Sequence, residues 1–568
     1  TDGYGIYNTG SMYLNGGTVY DNIYSSTVVY TRTSAQIKGK ICLGNSATIK
    51  LEDYTGETPE YSIELDSSRG LGTIMTFVGD KTIEPDISKI KVAGCEEGCE
   101  LVLKKNTSGY YELTLNMLTL PSNWKGEIAS TTYMTTTVTP ANITSIKFVA
   151  TAPENYSQIG TLSTGVPVYA GSTNTDIAFV GGNIFTTWDC SRMFEGLSKL
   201  QSFEFGTLNM SKAIKCWRFF SDCSKLATID FGNINTSNIT DMSSFFDNCS
   251  SLTSLDLSKF ETEKVTTMSA MFYDCSKLES VDMGSFNTSK VYYMQYMFSG
   301  CSKLTSLDVK NFNTSHVDNF SGTFRNCSSL TSLDLSGFDT SNATQMTSMF
   351  EECRSLTSLD VSNFNTSKVT YIYYMFYNCS KLAEIDVSGF DISNVTSLSG
   401  MFYGCKSLSS IDVSHFNTAK VTFMGNMFGN CSSLKSVDVT KFDVSNSSSF
   451  YCMFSGCSSL ESLDVSNFIT SKCTNFSYMF NDCKLLTGID VSNFDTSKAT
   501  NMSYMFYDCA NLKNLNLKNF VTTNVTDMCA MFDYCSSLES IDISSFSTTK
   551  VKNMGSMFCF CSSLTSID

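Results

Sequence analysis

The chain has no run of 18 apolar residues, so no segment of it is built to cross a bilayer as a helix. Basic charge is also scarce. The 39 Lys and Arg residues stand against 55 Asp and Glu, for a formal net charge of −16 and an isoelectric point near 4.7. Binding to nucleic acid depends on a basic surface that displaces counterions, and this balance argues against it. Only 6 prolines and 2 histidines occur in 568 residues. No Lys/Arg and carboxylate cluster stands out in residues 1–75, where a polysaccharide-cleaving domain would need one. There is no initiating Met, no signal peptide and no recognisable anchor. Thr1 opens inside a patterned region and Asp568 stops inside a repeat strand, so the chain reads as a piece of something longer.

Cysteine, by contrast, is plentiful and regular. Fourteen of the 23 cysteines return every 26 residues, from Cys223 through Cys249, Cys275 and Cys301 to Cys535 and Cys561. Leu197 holds the same phase one period earlier, which gives fifteen registered positions without an insertion. A period of this size predicts a solenoid of stacked coils, none of which can bury its apolar face alone. With the cysteine as phase 0, residues 353–378 read CRSLTSLDVSNFNTSKVTYIYYMFYN. Apolar residues fall at phases 3, 6, 8, 11, 16, 19, 22 and 23, here Leu356, Leu359, Val361, Phe364, Val369, Ile372, Met375 and Phe376. Phases 6 and 8 flank an Asp, the alternation of a short strand with one face inward. The Met-Phe pair follows phase 19 by three to four residues, which predicts a short helical or 3₁₀ return. Asn-Thr-Ser or Asp-Thr-Ser at phases 12–14 makes a corner, because Asn and Asp side chains hydrogen-bond their own backbone there. The phase-23 phenylalanines predict a buried aromatic spine from Phe194 to Phe558.

The stretch LTSLDVSNF has L-x-x-L-x-L spacing, with Phe where many leucine-rich repeats carry Asn. Strings such as SLTSLDLSGFDTSNATQMTSMFEEC, residues 329–353, resemble the BspA-like family of leucine-rich-repeat surface proteins. The resemblance covers residues 190–568. It implies a secreted or cell-surface location and, for some members, adhesion to host proteins or other cells. It carries no catalytic motif.

Residues 1–75 differ in texture, with short β-prone runs between Gly and Asn. YGIYNTGSMYLNGGTVYDN and IKGKICLGNSATIKL resemble the terminal coils of parallel β-helices in large bacterial surface proteins. Residues 76–128 read as a small β unit in which IKVAG and CELVLKK flank Cys95-Glu96-Glu97-Gly98-Cys99 as a hairpin. The Ser/Thr-rich residues 129–142 read as a linker, and 143–190 as the amino-terminal cap of a repeat array over 191–568.

Four groups of residues are candidates for chemistry. Stacked coils place like side chains about 4.8 Å apart, too far for disulfides between neighbouring phase-0 cysteines in one rotamer, so that row reads as free buried thiols. Cys95 with Cys99, and Cys190 with Cys216, are the candidate disulfides. The second group is an acidic row at phase 7, including Asp256, Asp282, Asp308, Asp334, Asp360, Asp386 and Asp412. It points outward, and like-charge repulsion requires hydrogen bonds from flanking Ser, protonation of some members, or condensed cations, calcium among them. Phase 15 carries a lysine-rich solvated edge, and one Thr per coil at phase 13 is too thin a row for an ice-binding array. Last, Tyr292, Tyr293 and Tyr296, then Tyr371, Tyr373 and Tyr374, interrupt the repeat and are the candidate contact patch. The alternative for these tyrosines is packing along neighbouring coils.

The expected architecture is therefore a β-rich leucine-rich-repeat solenoid of about fifteen coils, preceded by a β-helix or β-sandwich-like region. The expected role is non-enzymatic and extracellular, binding a host or neighbouring-cell protein or glycan, or copies of itself, with no cofactor beyond a loosely held divalent cation. The alternatives are a structural subunit of an extracellular filament or surface layer, and a fragment of a β-helix polysaccharide-active enzyme.

Overall fold

The computed structural model describes residues 138–567 without a break. Before them it describes the backbone of strands between Ile6 and Leu120 and a few single residues between 75 and 125.

In the array, neighbouring coils are joined along two parallel ladders, each formed at a subset of the coil boundaries. At phases 5–7 the strands pair residue i with i+26, as in Ser254–Asp256 against Ser280–Asp282, Ser358–Leu359 against Glu384–Ile385 and Ser540–Ile541 against Ser566–Ile567. At phase 18, isolated parallel bridges join Asp241, Thr267, Tyr293, Asn319, Gln345 and Tyr371 in succession. Period-two alternation turns Leu255 and Leu257 inward and leaves Asp256 exposed between them. All six prolines precede residue 168, so every coil keeps its full set of backbone donors.

The Met-Phe return is not the helix that spacing predicts. It takes two left-handed residues per coil, at phases 21 and 25, for example Ala270 (φ 54°) and Asp274 (φ 51°). Alternate amides then go separate ways. Met271 and Tyr273 donate within the coil to the carbonyls of Met268 and Ala270 at 3.2 and 3.1 Å. Ala270, Phe272 and Asp274 donate to Gln295, Met297 and Ser299 of the next coil at 2.9, 2.9 and 2.7 Å. A helix would keep its amides inside its own segment. The left-handed residues each cost about 1 kcal/mol, and the hydrogen bonds they turn toward the neighbouring coil offset that strain.

Between the ladders the interior is layered by phase. The phase-23 phenylalanines stack without interruption from Phe194 to Phe558, with Phe350–Phe376 at 5.7 Å and Phe376–Phe402 at 5.6 Å and ring planes within 8° of parallel. The phase-0 cysteines lie free, buried over most of their length, and each points its thiol at the phase-23 carbonyl 29 residues earlier, as Cys353 does at Phe324 (3.1 Å) and Cys379 at Phe350 (3.1 Å). The phase-13 threonines from Thr236 to Thr522 are buried rather than displayed. Thr340 Oγ1 donates to the Asn365 carbonyl at 3.1 Å and accepts the Asn365 amide at 2.8 Å. Thr340→Val keeps the shape and strands both backbone groups, so we expect a loss of about 1–3 kcal/mol. Amide exchange checks this: Asn365 should lose protection in the variant, and unchanged protection would show that the hydroxyl is dispensable.

The cap is a mixed sheet. Ser157–Thr161, Pro167–Ala170 and Asp176–Val180 run antiparallel in turn, Ser145–Val149 then pairs parallel to Asp176–Val180, and the first coil strands Ser202–Glu204 and Thr228–Asp230 follow. Residues assigned from the sequence to the small β unit also join it. Thr119–Leu120 pairs with Phe185–Thr186, and Trp124 is fully buried against Phe179 and Phe194, its Nε1 donating to the Met193 carbonyl at 2.9 Å. The large indole covers the first ring of the aromatic spine, which is the reason the cap reaches back before residue 143.

Farther toward the amino terminus, Ile6–Asn8, Ile23–Ser25, Lys40–Leu43, Tyr61–Leu65 and Ile90–Ala93 pair in parallel in that order. Met12–Leu14, Val29–Arg32, Ile49–Tyr54 and Gly72–Gly79 do the same, and Gly17–Val19 pairs with Ala35–Ile37. These ladders continue past residue 75. The expected hairpin between IKVAG and CELVLKK is not formed: Cys99–Lys105 pairs antiparallel with Tyr111–Met117 instead. The turn chemistry lies in the intervening segment, where Asn106 Oδ1 accepts the Ser108 amide at 3.0 Å. The Cys95–Cys99 disulfide falls outside the described residues.

Candidate binding surface

The coil geometry sorts outward positions into three strips that run along the stack. The first is the acidic row. Asp256, Asp282, Asp308, Asp334, Asp360, Asp386 and Asp412 are all exposed on the strand strip. Each of those that titrates abnormally is held by the residue two further on: Asp360 Oδ1 accepts the Ser362 hydroxyl at 2.7 Å and its amide at 3.0 Å, and Asp256 and Asp412 use Ser258 and Ser414 in the same way. These donors hold the carboxyls of Asp256, Asp334, Asp360, Asp386 and Asp412 below the ordinary range. Protonation is therefore not how those five relieve repulsion, because two hydrogen bonds and open water both favour the ionised form. Lys310 approaches Asp334 at 3.9 Å. Among the described residues no three His, Cys, Asp or Glu side chains come together as a metal-holding group.

The second strip, at phase 15, carries Asn and Lys. Lys368 Nζ donates to Asn342 Oδ1 at 2.7 Å and Lys420 to Asn394 at 2.7 Å, while Asn342 and Asn394 donate back to the Ser315 and Ser367 carbonyls. Amides thus separate ammonium groups that would otherwise repel one coil apart.

The third strip is aromatic. Sixteen large hydrophobic side chains are exposed among the described residues, and nine of them stand at the outward phases 17, 18, 20 and 21. They are Trp188, Ile214, Trp217, Tyr292, Tyr293, Tyr296, Tyr371, Phe423 and Tyr451. Trp188 and Tyr451 are ten coils apart, roughly 48 Å at one strand spacing per coil. Of the six tyrosines singled out from sequence, Tyr292, Tyr293, Tyr296 and Tyr371 are exposed, whereas Tyr373 and Tyr374 are half-buried against each other and Tyr377. Neighbour packing does hold some rings. The Tyr296 ring packs against Gly322 and that of Tyr374 against Gly400, the same phase one coil on, where an added Cβ would lie 2.4 Å from the ring. Glycine at that step, with φ near +60° at both positions, gives the tyrosine a fixed seat.

Sequence reasoning missed Trp188, Ile214, Trp217, Phe423 and Tyr451, because it looked for runs of tyrosine. Tabulating bulky residues by phase would have found them. It also missed a tyrosine row farther along, where Tyr478 and Tyr504 stack at 4.5 Å and the contacts continue through Tyr507 and Tyr534 to Phe560. The recurring strings SYMFNDC and SYMFYDC, residues 477–483 and 503–509, carry that signal.

The two remaining candidate cysteines, Cys190 and Cys216, are free, buried and side by side at phase 19 of adjacent coils. Cys190 donates its thiol to the Thr187 carbonyl at 2.9 Å. Burial pushes Cys216 well up from the usual thiol value, and the hydrogen bond from Cys216 to Cys190 draws the latter down.

Short parallel strands repeated every 26 residues over a continuous layered core define a β-rich repeat solenoid with leucine-rich-repeat-type stacking. The model of a family described as "Mycoplasma protein of unknown function, DUF285" matches residues 187–306, 214–333, 298–411, 378–488 and 476–567, together about two thirds of the chain. The chain belongs to that family. No curated protein matches it. Among solved structures, it is similar to the TLR13–ssRNA13 complex, at 14% identity over 98% of this chain and 79% of that one, with a TM-score of 0.21. It is also similar to an LRR protein of Leptospira interrogans (12%, 62% and 88%, 0.20) and to a chain of the Drosophila Toll–Spatzle complex (12%, 94% and 57%, 0.21). The class rests on the coil geometry itself.

Proposed function

We propose that this protein is a non-enzymatic recognition scaffold displayed outside the cell, which binds a protein or glycan of a host or neighbouring cell along its aromatic strip. The observation that carries this reading is that nine of the sixteen exposed large apolar side chains among the described residues gather on one strip of the surface. Exposed apolar residues in that number cost solubility unless a partner covers them, and Trp and Tyr are the side chains that anchor interfaces. The glycines beneath Tyr296 and Tyr374 fix two rings in advance, which lowers the entropy lost on binding. The resemblance to BspA-like surface proteins supports adhesion as the outcome of such binding, and the ionised Asp row serves as a solvated structural strip.

Replacing Tyr292, Tyr293, Tyr371 and Tyr374 with Ser should leave folding intact and reduce adhesion to immobilised matrix proteins or partner cells by about tenfold or more, the scale set by losing hot-spot aromatics. Circular dichroism checks the fold and a plate adhesion assay the binding. If adhesion is unchanged, while removal of the open end after Ser545 abolishes assembly into fibres, the filament-subunit reading replaces this one.

A further inference from the structure

Where the cap passes into the array, one inward position departs from the repeat. Phase 19 is Met, Phe, Leu or Ile in thirteen coils, from Met242 to Met554, and Cys at the two steps before them, Cys190 and Cys216. Small size alone does not call for a thiol, because phase 16, the inward position three residues earlier, uses Ala at Ala213, Ala343 and Ala499.

The backbone beside the pair is held in register. Asp189 bridges Lys215 in parallel, and the Cys190 amide donates to the Lys215 carbonyl at 2.7 Å. A coil spacing of about 4.8 Å lies inside the Cα separation that a disulfide accepts, about 4.4–6.8 Å. The phase-0 thiols share that spacing, so side-chain direction decides. Each of them is turned to a carbonyl 29 residues earlier, as Cys223 is to Phe194 at 3.1 Å and Cys249 to Phe220 at 3.2 Å. Cys190 instead turns to the Thr187 carbonyl of its own loop at 2.9 Å, and its sulfur accepts the Cys216 thiol. Here sulfur meets sulfur.

The two thiols are not equivalent. Thr186 Oγ1, buried and without a hydrogen-bond partner while Cys190 is a thiol, lies where it stabilises the Cys190 thiolate. Hydrogen bonds from Cys216, then from Thr186 and Thr187, draw Cys190 below the ordinary thiol value against the effect of burial, while burial and Cys190 hold Cys216 well above it. A depressed thiol value belongs to the attacking member of a cysteine pair. Both side chains are fully buried, but their chain neighbours reach the surface: Trp188 is exposed, Thr187 and Asp189 are half-buried, and Lys215 and Trp217 are exposed on either side of Cys216.

We propose that Cys190 and Cys216 form a thiol-oxidation site, reduced in this structure, whose substrate is a small aliphatic disulfide. When the surface segment 187–189 opens, the Cys190 thiolate attacks one sulfur of RS–SR; the S–S bond breaks, RS⁻ leaves, and Cys190 carries –S–SR. Cys216 then gives up its proton and attacks the Cys190 sulfur, which forms the Cys190–Cys216 bond and releases the second RS⁻. Two thiols are oxidised, one disulfide is reduced to two thiols, and the two protons pass to the leaving thiolates. The product ties the end of the cap to the first coil. The phase-0 thiols, turned to carbonyls, stay free in the same solution.

The test exposes the full chain to oxidised glutathione at neutral pH, quenches it in acid, unfolds it and alkylates it without reductant. Trypsin cuts after Arg192 and Lys215, so the two cysteines fall in separate peptides and their bond appears as a cross-linked pair. The expected map joins Cys190 to Cys216, reversibly with dithiothreitol, and shows the phase-0 cysteines alkylated. Protease should nick the oxidised chain between residues 190 and 216 about tenfold or more slowly than the reduced chain, because the cross-link restricts the opened segment. In Cys216→Ala, Cys190 should keep one glutathionyl group and the slower nicking should vanish; should that variant fail to fold, the parent's map decides by itself. Both thiols alkylated after oxidation of the parent, a glutathionyl group left on its Cys190, or phase-0 cysteines oxidised ahead of the pair would overturn the assignment.

Discussion

Truncating one ring of the aromatic spine, Phe376→Ala, is expected to destabilise its coil by about 3–5 kcal/mol, the range for deleting a buried aromatic. Phe376 is fully buried and touches rings on both sides, Phe350 at 5.7 Å and Phe402 at 5.6 Å, so the cavity would open two coil interfaces at once. The backbone around it is held by inter-coil hydrogen bonds, among them Phe376 N–H to the Met401 carbonyl at 2.9 Å, and cannot collapse inward without breaking them. In a repeat array stability is a sum over nearest-neighbour interfaces, so the damage should remain local. Limited proteolysis should nick the variant first between coils 350 and 402, with the distant coils intact for longer. A variant that resists protease as well as the parent would mean that the spine does not bear the stacking energy.

Alkaline pH should unfold the array through its thiols. Burial pushes Cys353, Cys405 and Cys457 from an ordinary 9.0 up to about 12. In the unfolded chain these groups lose their protons near pH 9, and in the folded coil they keep them. Their contribution is therefore fully present below pH 9 and is lost as the pH rises toward 12, by about 4 kcal/mol for each such thiol. Several of them together exceed the net stability of an ordinary domain, about 5–15 kcal/mol. We expect a steep loss of near-ultraviolet circular dichroism between pH 9 and pH 12. Lysine and tyrosine titrate in the same window, and a Cys353→Ala, Cys405→Ala, Cys457→Ala variant separates them: it should be less stable than the parent at pH 7 and lose less than the parent between pH 9 and 12. At neutral pH, iodoacetamide should leave the phase-0 thiols of the native protein unlabelled and modify them on unfolding without reductant. Native thiols that label like a free peptide cysteine, or phase-0 cysteines found paired, would refute the buried thiol row.

The repeat itself was legible because a solenoid writes its core as a period. Fourteen cysteines at one spacing and an unbroken phase-23 phenylalanine row fix the coil length and the inward positions, since each inward side chain meets its own equivalent one coil away. The outward direction of the Asp row follows from strand alternation for the same reason. The Met-Phe return was not legible. Spacing of three to four residues fits a helix, but the amides of Ala270, Phe272 and Asp274 find better partners across the coil boundary, and that choice depends on a neighbour 26 residues away.

The sequence by itself determined the solenoid, its 26-residue step, its free buried cysteines and its acidic strip, because every one of these depends on contacts between identical positions in register. Only the tertiary structure decided that Trp124 belongs to the cap, that Tyr373 and Tyr374 pack half-buried while Tyr292, Tyr293 and Tyr371 stay exposed, and that Asn183, Asn235 and Lys212 face a common cleft. Those groupings join residues that differ from coil to coil or lie outside the repeat. No period announces them, and they arise where the chain is folded back on itself.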